Sequence, residues 1–166
     1  MTQNDADLAH RVQRLDDRFA IQDLAIRYCI ATDAGDRDAL RALFTDEATL
    51  AGISGGDKVV DMLHSVRSAY GRTIHTPDAH LVEFVDDDHA TGVILARAEL
   101  DIQKRSVHSA IRYYDAYTRC SDGAWRFSSR TLKFAYAVPV EELAESLTGE
   151  NTVRWPGTEP APADDF

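Results

Sequence analysis

Residues 19–33 read FAIQDLAIRYCIATD, an apolar run that ends on an acidic side chain. The run continues a pattern of apolar residues at three- and four-residue spacing that begins at Leu8, which predicts a helix over residues 5–32. The acidic pair Asp16-Asp17 leaves open whether this is one kinked helix or two helices. We interpret the run as one wall of a pocket in which Asp33 orients a histidine.

The composition is that of an ordinary globular protein of one domain, with 166 residues, 44% of them apolar and 28% charged. A formal net charge of −10 argues against a nucleic-acid or an anionic membrane partner, because both need clustered positive charge. No apolar run approaches the roughly 20 residues that span a bilayer. The first residues lack the layout of a signal peptide, so a cytoplasmic location is expected.

Cysteine and histidine spacing gives no support for a metal site or a disulfide. Cys29 and Cys120 are isolated in the sequence, which favours reduced, buried thiols. No CxxC or HExxH pattern is present, so neither a metal nor another cofactor is predicted.

Two further helices and a short strand are predicted after a break at Gly35. Asp36 is suited to cap a helix that runs through Phe44, and Asp57 to cap a helix that follows a short strand over residues 48–53. Beyond that helix, alternating segments predict four strands, at residues 73–86, 91–104, 106–120 and 124–137. This order predicts an α+β domain whose N-terminal helices pack on a curved, mostly antiparallel sheet that encloses a pocket.

The C-terminal residues differ in character from the rest of the chain. We predict a domain over residues 1–138 and a partly mobile extension over residues 139–166, with a short helix at 140–147. Trp155 is a large aromatic residue in an otherwise polar tail, which is typical of an anchoring contact between subunits.

The chain resembles the SnoaL-like branch of the NTF2-like superfamily over roughly residues 8–138. The branch includes scytalone dehydratase, bile-acid 7α-dehydratase and hexachlorocyclohexane dehydrochlorinase. The fold hosts many functions, so the motifs indicate the superfamily more strongly than any one reaction. The motifs that carry the resemblance are AIQDL at 20–24, Asp33 at the helix end, DRDALRALFTDEA at 36–48, TIH at 73–75, LVEFV at 81–85 and DGAWRFSSR at 122–130.

The resemblance implies four catalytic residues. The helix-end aspartate of the family falls on Asp33, the histidine of the first long strand on His75, and the arginine after the W-R motif on Arg130. At Tyr28 the bile-acid dehydratase is similar in having a tyrosine, whereas the dehydrochlorinase has a lysine. That departure argues against dehalogenation and favours a substrate with a hydroxyl or carbonyl group. The related dehydratases also imply a homo-oligomer, with a trimer preferred and a dimer possible.

The residue types suit this assignment. A neutral imidazole is a competent general base near neutral pH, and a carboxylate bonded to its second nitrogen fixes the tautomer. From the residue types alone, an exposed Asp33 and a structural His75 are the favoured interpretation, and the resemblance reverses that preference. Arg130 shares its alternating face with apolar residues up to Tyr136, so it needs a buried partner, either a structural carboxylate or a substrate oxygen.

The register of the first long strand decides which histidine faces the pocket. His80 alternates with Val82 on the core side, which places His75 on the opposite face unless Pro77 marks a bulge. His108 and Tyr114 are further candidates for substrate contact. The expected apolar walls are Phe19, Leu24, Ile111, Phe134 and Tyr136.

These patterns together favour a cofactor-independent lyase that eliminates water from a hydrophobic small molecule, with His75 as the base and Asp33 as its partner. An isomerase or cyclase of a steroid-like or polyketide substrate is the alternative within enzymes. A non-catalytic ligand-binding or assembly module is the alternative outside enzymes.

Overall fold

Helices precede a sheet in the structure, a computed structural model that describes residues 3–166. The helices are α1 (Gln3–Ala34), α2 (Arg37–Ala42) and α3 (Gly56–Ser68). The strands are β1 (Phe44–Leu50), β2 (Ile53–Ser54), β3 (Thr73–Phe84), β4 (His89–Ile102), β5 (Arg105–Arg119) and β6 (Trp125–Pro139), and a 3-10 helix follows at Val140–Glu145.

The first helix is a single element that passes through the acidic pair at its centre. It ends at Gly35, whose φ of +66° is a conformation that glycine adopts without steric cost. The Gly35 N–H donates to the Thr32 carbonyl at 3.1 Å and the Asp36 N–H to the Ala31 carbonyl at 2.9 Å, which is a Schellman termination. The predicted helix end is therefore confirmed, and Asp33 lies in the last turn.

The next elements follow the prediction with shifted boundaries. Asp36 caps α2 by accepting a hydrogen bond from the Ala39 N–H at 2.9 Å, as predicted. The helix stops before Phe44 because that residue begins β1, beside β6. The third helix begins one residue before Asp57, after Gly55, so Asp57 is not its cap.

The described strands form one sheet in the order β2-β1-β6-β5-β4-β3, antiparallel throughout except where β1 runs parallel to β6. The helices cover one face of this sheet, and the hydrophobic core lies between them. This is the predicted α+β arrangement of helices on a curved sheet.

A bulge in β3 sets the orientation of both of its histidines. The pairing of β3 with β4 shifts between Pro77 and Ala79, which leaves Asp78 as an extra residue. His75 and His80 are five residues apart and would face opposite sides of a regular strand, but the extra residue turns both toward the helices. The bulge that Pro77 suggested is therefore present.

The C-terminal residues fold back onto the second half of β6. Val153 bridges to Ala137 and to Ala161, and the Phe134 N–H donates to the Asp164 carboxylate at 2.7 Å. Trp155 packs edge-on against Phe134 of the same chain, with ring centroids 5.3 Å apart. The predicted helix at 140–147 is a shorter 3-10 helix.

The state of the cysteines and the character of the helices can be compared with what the sequence predicted. Both cysteines are free, Cys29 buried and Cys120 partly exposed, so full burial is found only for the first. Among residues 3–166, none of the helices combines the length and the apolar character needed to cross a bilayer.

Asp17 is a buried carboxylate on the side of α1 that packs against the sheet, with 3% of its surface exposed. It accepts hydrogen bonds from Trp125 Nε1 at 3.1 Å, Arg119 Nη2 at 2.5 Å and Gln13 Nε2 at 3.1 Å. Burial alone would raise the pKa of this carboxyl, but the three bonds outweigh it and lower the pKa. The ionised form therefore stabilises the contact between α1 and the end of the sheet.

Replacing Asp17 by asparagine is expected to lower the free energy of unfolding by about 2 kcal/mol at neutral pH. Because the folded-state pKa is depressed, the contribution is complete above the ordinary aspartate pKa of about 4 and is lost as the pH falls through the folded value. Urea unfolding at pH 7 and at pH 3 measures it, and the difference between wild type and variant should shrink in acid. Asp7→Asn is the exposed control on the same helix, and a difference independent of pH would contradict the prediction.

Candidate active site

The central feature of the site is a short hydrogen bond between the end of α1 and the start of β3. His75 Nδ1 lies 2.6 Å from Asp33 Oδ1, and the two side chains are 13% and 25% exposed. With the Nδ1 proton donated to the carboxylate, Nε2 is the nitrogen with a lone pair that can accept a proton. The geometry is that of a base held in one tautomer by its neighbour.

Asp33 is itself fixed by several bonds. Its Oδ1 also accepts a hydrogen bond from the Thr73 hydroxyl at 2.7 Å, and its Oδ2 accepts from the His75 main-chain N–H at 2.9 Å. Arg67, on α3, donates to the Asp33 and Thr32 carbonyls at 3.0 and 3.2 Å. The arginine satisfies terminal carbonyls of α1 and supplies positive charge where the helix dipole is negative, which stabilises a helix end that carries an aspartate.

His75, but not Asp33, lines a cavity of about 130 Å³ between the helices and the sheet. Its walls are mostly apolar and include several hydroxyl groups, an imidazole and a guanidinium. The lining residues are Tyr28, Thr32, Leu63, Val66, Arg67, Tyr70, Thr73, His75, Ala98, Leu100, Ser109, Ile111, Tyr113, Leu132, Phe134 and Trp155. Mostly apolar walls with a small number of polar groups are usual properties of a small-molecule site.

Several of the lining side chains carry hydroxyl groups, among them Thr32, Tyr28 and Ser109. The Thr32 hydroxyl is buried, and no residue among 3–166 forms a hydrogen bond with it. Burial raises the pKa of Tyr28, so its phenol remains a proton donor at neutral pH. Ser109 is also buried, and its only described hydrogen bond is a long one of 3.4 Å to the Ala98 carbonyl. These groups could bind an oxygen atom of a ligand.

Arg130 is placed behind the cavity wall and is absent from the lining. Its Nε and Nη2 donate to the two oxygens of Asp115, each at 2.8 Å, and both side chains are at most 1% exposed. Its Nη1 is buried and forms no hydrogen bond with the part of the chain that the structure describes. Burial alone would lower the pKa of the guanidinium, but the Asp115 carboxylate outweighs burial and raises it. Of the two partners left open by the sequence, the structure shows the structural carboxylate.

Aromatic rings separate this guanidinium from the cavity. The central carbon of Arg130 lies 4.1 Å from the ring centre of Tyr28, 4.4 Å from that of Tyr113 and 4.0 Å from that of Phe127. Cations at these distances attract the faces of aromatic rings. Arg130 therefore acts on the cavity through Tyr28 and Tyr113.

His80 belongs to the same buried network as Arg130. Its Nε2 lies 2.9 Å from the Tyr117 hydroxyl, which donates to Asp115 at 2.9 Å, so the chain of bonds runs from His80 to Arg130. Burial lowers the pKa of His80 to about 4, so this imidazole is neutral at physiological pH. It does not line the cavity with His75.

Five of the other predicted contact residues lie elsewhere; the alternation of β5 explains two of them, and a register shift in β6 explains a third. His108 and Tyr114 point to the outer face of β5, and a register shift after Phe134 turns Tyr136 outward as well. Phe19 lies on the outer side of α1 and is 66% exposed. Leu24 is buried in the core but is not a cavity wall. Ile111 and Phe134 do line the cavity.

Sequence reasoning did not identify Thr32, Ser109 or Arg67 as site residues. Thr32 precedes Asp33 in a helix whose inner face was already expected to bound a pocket, so its position was a usable signal. Ser109 alternates with Val107 and Ile111 on the apolar face of β5, where a lone hydroxyl stands out. Arg67 comes from a separate helix, and nothing in its local sequence indicates the end of α1 as its partner.

Helices on one face of a curved sheet, with a cavity between them, are the architecture of the NTF2-like α+β domains. Residues 13–131 match the model of the family described as SnoaL-like domain, and the chain belongs to that family. A γ-hexachlorocyclohexane dehydrochlorinase of Sphingobium indicum is 31% identical over 137 residues, covering 78% of this chain and 87% of that protein. A second dehydrochlorinase of the species, numbered 1, is 30% identical over 137 residues, with 78% and 88% covered. These relatives are named for an elimination, so the family includes enzymes of lyase type.

Solved structures agree with this assignment. The crystal structure of LinA is 30% identical and superposes with a TM-score of 0.69, covering 78% of this chain and 93% of that one. A putative scytalone dehydratase of Novosphingobium aromaticivorans has a TM-score of 0.72 at 18% identity, covering 90% and 99%. At that identity the second likeness concerns the fold alone.

Proposed function

We propose that this chain is a cofactor-independent lyase that eliminates water from a hydrophobic small molecule bearing a hydroxyl group and a neighbouring carbonyl. The observation that carries the proposal is the bond of 2.6 Å between His75 Nδ1 and Asp33 Oδ1, with His75 in the wall of a mostly apolar cavity. The relatives named for an elimination support the reaction class. Tyr28, at the position where the dehydrochlorinase has a lysine, supports loss of water over loss of halide.

In the proposed reaction, His75 Nε2 takes a proton from the carbon next to the carbonyl. The electrons of that C–H bond form a carbon–carbon double bond, and the bond to the hydroxyl oxygen breaks. Tyr28 donates a hydrogen bond to the departing oxygen or the carbonyl, and the proton held by His75 and the departing hydroxide together make one water. Asp33 stabilises the imidazolium that forms.

Arg130 has a supporting part in this scheme. Since its guanidinium is paired with Asp115 and faces the rings of Tyr28 and Tyr113, it does not reach a substrate oxygen. Its positive charge lies beside the Tyr28 phenol and favours any negative charge that develops there. We therefore propose Arg130 as a residue that acts through Tyr28.

Substrate size is limited by the C-terminal residues. The cavity of about 130 Å³ is smaller than the roughly 300 Å³ at the lower end of ligand pockets. Trp155 forms part of its wall and packs on Phe134. A polycyclic or aromatic substrate would fit only if Trp155 moves outward, and a smaller hydroxy-carbonyl compound would fit without that movement.

The reaction class is tested by incubating the full chain with β-hydroxy ketones and β-hydroxy thioesters and recording mass spectra of the products. Loss of one water supports the lyase. A product of unchanged mass in H₂O that takes up deuterium when the incubation is repeated in D₂O would replace it by the isomerase or cyclase. Ligand retention with neither change would indicate a binding module. His75→Gln is the control in each incubation.

Removing the hydroxyl of Thr32 is expected to change the activity but not to lower the stability. Thr32→Val removes a buried oxygen that has no hydrogen-bond partner among the described residues, so the free energy of unfolding is expected to stay equal or to rise slightly. If the hydroxyl binds a substrate oxygen, kcat/KM is expected to fall about tenfold. Kinetics and urea unfolding of the same preparation measure both quantities. Thr49→Val, at a hydroxyl paired with Ser129 outside the cavity, is the control.

We also propose that the chain is a cytoplasmic homo-oligomer, with a trimer preferred over a dimer by likeness to related dehydratases. Light scattering after size exclusion tests the assembly, and a mass of 18.4 kDa would contradict it. Cell fractionation tests the location.

A further inference from the structure

The outer side of α1 carries a stripe of exposed apolar side chains. Leu8, Val12, Leu15, Phe19 and Ile26 are 49% to 66% exposed. At about 100° per residue, these five fall within about 60° of one another around the helix axis. The side chains that α1 buries in the core, such as Ile21 and Leu24, lie on the opposite side. A helix that is apolar on two opposite faces is expected to have a second partner.

The spacing of the stripe is that of a coiled coil. Successive members are separated by four, three, four and seven residues, which places them at the a and d positions of a heptad repeat. Val12, Phe19 and Ile26 occupy a positions, and Leu8 and Leu15 occupy d positions. β-Branched residues at a with leucine at d favour two parallel helices, as Val12 and Ile26 do here with the two leucines. Phe19 is the exception at a, and the d position skipped by the seven-residue step is Gln22. We refer to these five residues as the α1 seam.

Charges on the two flanks of the α1 seam have opposite sign. Arg11 and Arg18 occupy the g positions, while Asp16 and Asp23 occupy the e positions. In a parallel pair, each g position meets the e position five residues further along the partner, so arginine meets aspartate at both steps. In an antiparallel pair, arginine would meet arginine. Arg18 also donates to the Val82 carbonyl of its own chain at 2.9 Å. The pair of Arg11 with Asp16 is therefore the better test of a contact between two chains.

We propose that the α1 seam binds the same seam of a second copy of the chain, with the two helices parallel and in register. The partner is a second copy because one helix carries both halves of the charge pattern, as a twofold contact requires. The contact lies on the side of α1 away from the cavity, so it does not depend on the reaction. Being twofold, it is separate from a threefold contact and would join trimers in pairs if both occur.

Mass measurement of a seam variant tests the contact. Leu15→Glu is expected to halve the mass found by light scattering, because it places a charge at a buried d position on both helices. Leu15 is 55% exposed in the single chain, so the fold is expected to survive, which thermal unfolding checks. Leu147→Glu, at a residue 72% exposed near the C-terminus, is the matched control and should leave the mass unchanged. Equal masses for wild type and Leu15→Glu would overturn the proposal.

Charge reversal tests the direction of the helices. Arg11→Asp is expected to raise the dissociation constant of the pair about tenfold, since it places like charges at both symmetric contacts. Adding Asp16→Arg to the same chain restores an opposite-charge pair in the parallel arrangement and should restore the constant. Leu15→Cys in a Cys120→Ser background should form a covalent pair on oxidation, and Leu147→Cys should not. Failure of the double reversal to restore binding, or no covalent pair for Leu15→Cys, would overturn the parallel arrangement.

Discussion

Replacing His75 by glutamine is expected to lower kcat/KM for the elimination about 10³-fold, which corresponds to about 4 kcal/mol of transition-state stabilisation. Glutamine has a similar reach and can donate to Asp33, but it cannot accept the proton. The loss should therefore appear in kcat, with the thermal unfolding midpoint close to that of wild type. Steady-state kinetics on the substrate found by mass spectrometry measure it.

His80→Gln is the matched control, because His80 lies on the same strand and also points inward. Its imidazole is bonded to Tyr117 and stands outside the cavity, so kcat/KM is expected to change by no more than about threefold. The kcat/KM of Asp33→Asn is expected to lie between those of the two histidine variants, since an amide can hold the histidine in place but stabilises the imidazolium less. A large loss in His80→Gln with a normal rate in His75→Gln would contradict the choice of base.

The sequence predicted the Asp33–His75 pair only through the resemblance, and the reason is the bulge at Asp78. Alternation along a regular strand would place His75 and His80 on opposite faces, so the pattern alone could support only one of them. Pro77 indicated that the register could shift, because proline cannot donate to the neighbouring strand. Whether the extra residue is accommodated there depends on pairing with β4, which is a property of the folded sheet.

A register shift also limited what could be predicted for the side chains of β6. Alternation in β6 placed Arg130 and Tyr136 on one face, but a register shift beyond Phe134 turns Tyr136 outward. Alternation also predicted correctly that Arg130 projects from an apolar surface. It could not identify Asp115 as the partner, because that choice depends on the pairing of β5 with β6, where the two residues are direct neighbours.

Burial of the helix face was predicted better than the extent of the cavity. The periodicity of α1 correctly gave Tyr28 and Leu24 as inward-facing, whereas Phe19 was assigned to the cavity although its spacing from Leu15 places it on the outer side. Two apolar faces on one helix cannot be distinguished by hydrophobicity alone. The cavity wall made by Trp155 depends on the path of the C-terminal residues, which have no periodic pattern.

Replacing Arg130 by methionine is expected to lower the free energy of unfolding by about 4 kcal/mol, because it leaves the Asp115 carboxylate buried without its partner. For a domain of this size, the thermal midpoint should fall by about 10 °C. Urea unfolding at neutral pH measures the free energy. Arg97→Met is the control, since Arg97 forms a bidentate pair with Asp78 at the surface, and its loss should cost no more than about 1 kcal/mol.

The double variant Arg130→Met with Asp115→Leu separates the cost of an unpaired charge from the loss of packing. If the uncompensated carboxylate is the cause, removing it should recover most of the lost stability. Recovery should stop about 1 kcal/mol short, because the Tyr117 hydroxyl then loses the oxygen to which it donates. Equal loss in the single and double variants would show instead that the guanidinium acts mainly through its packing on the rings of Tyr28, Tyr113 and Phe127. Arg130 would then stabilise the cavity wall by contact with those rings.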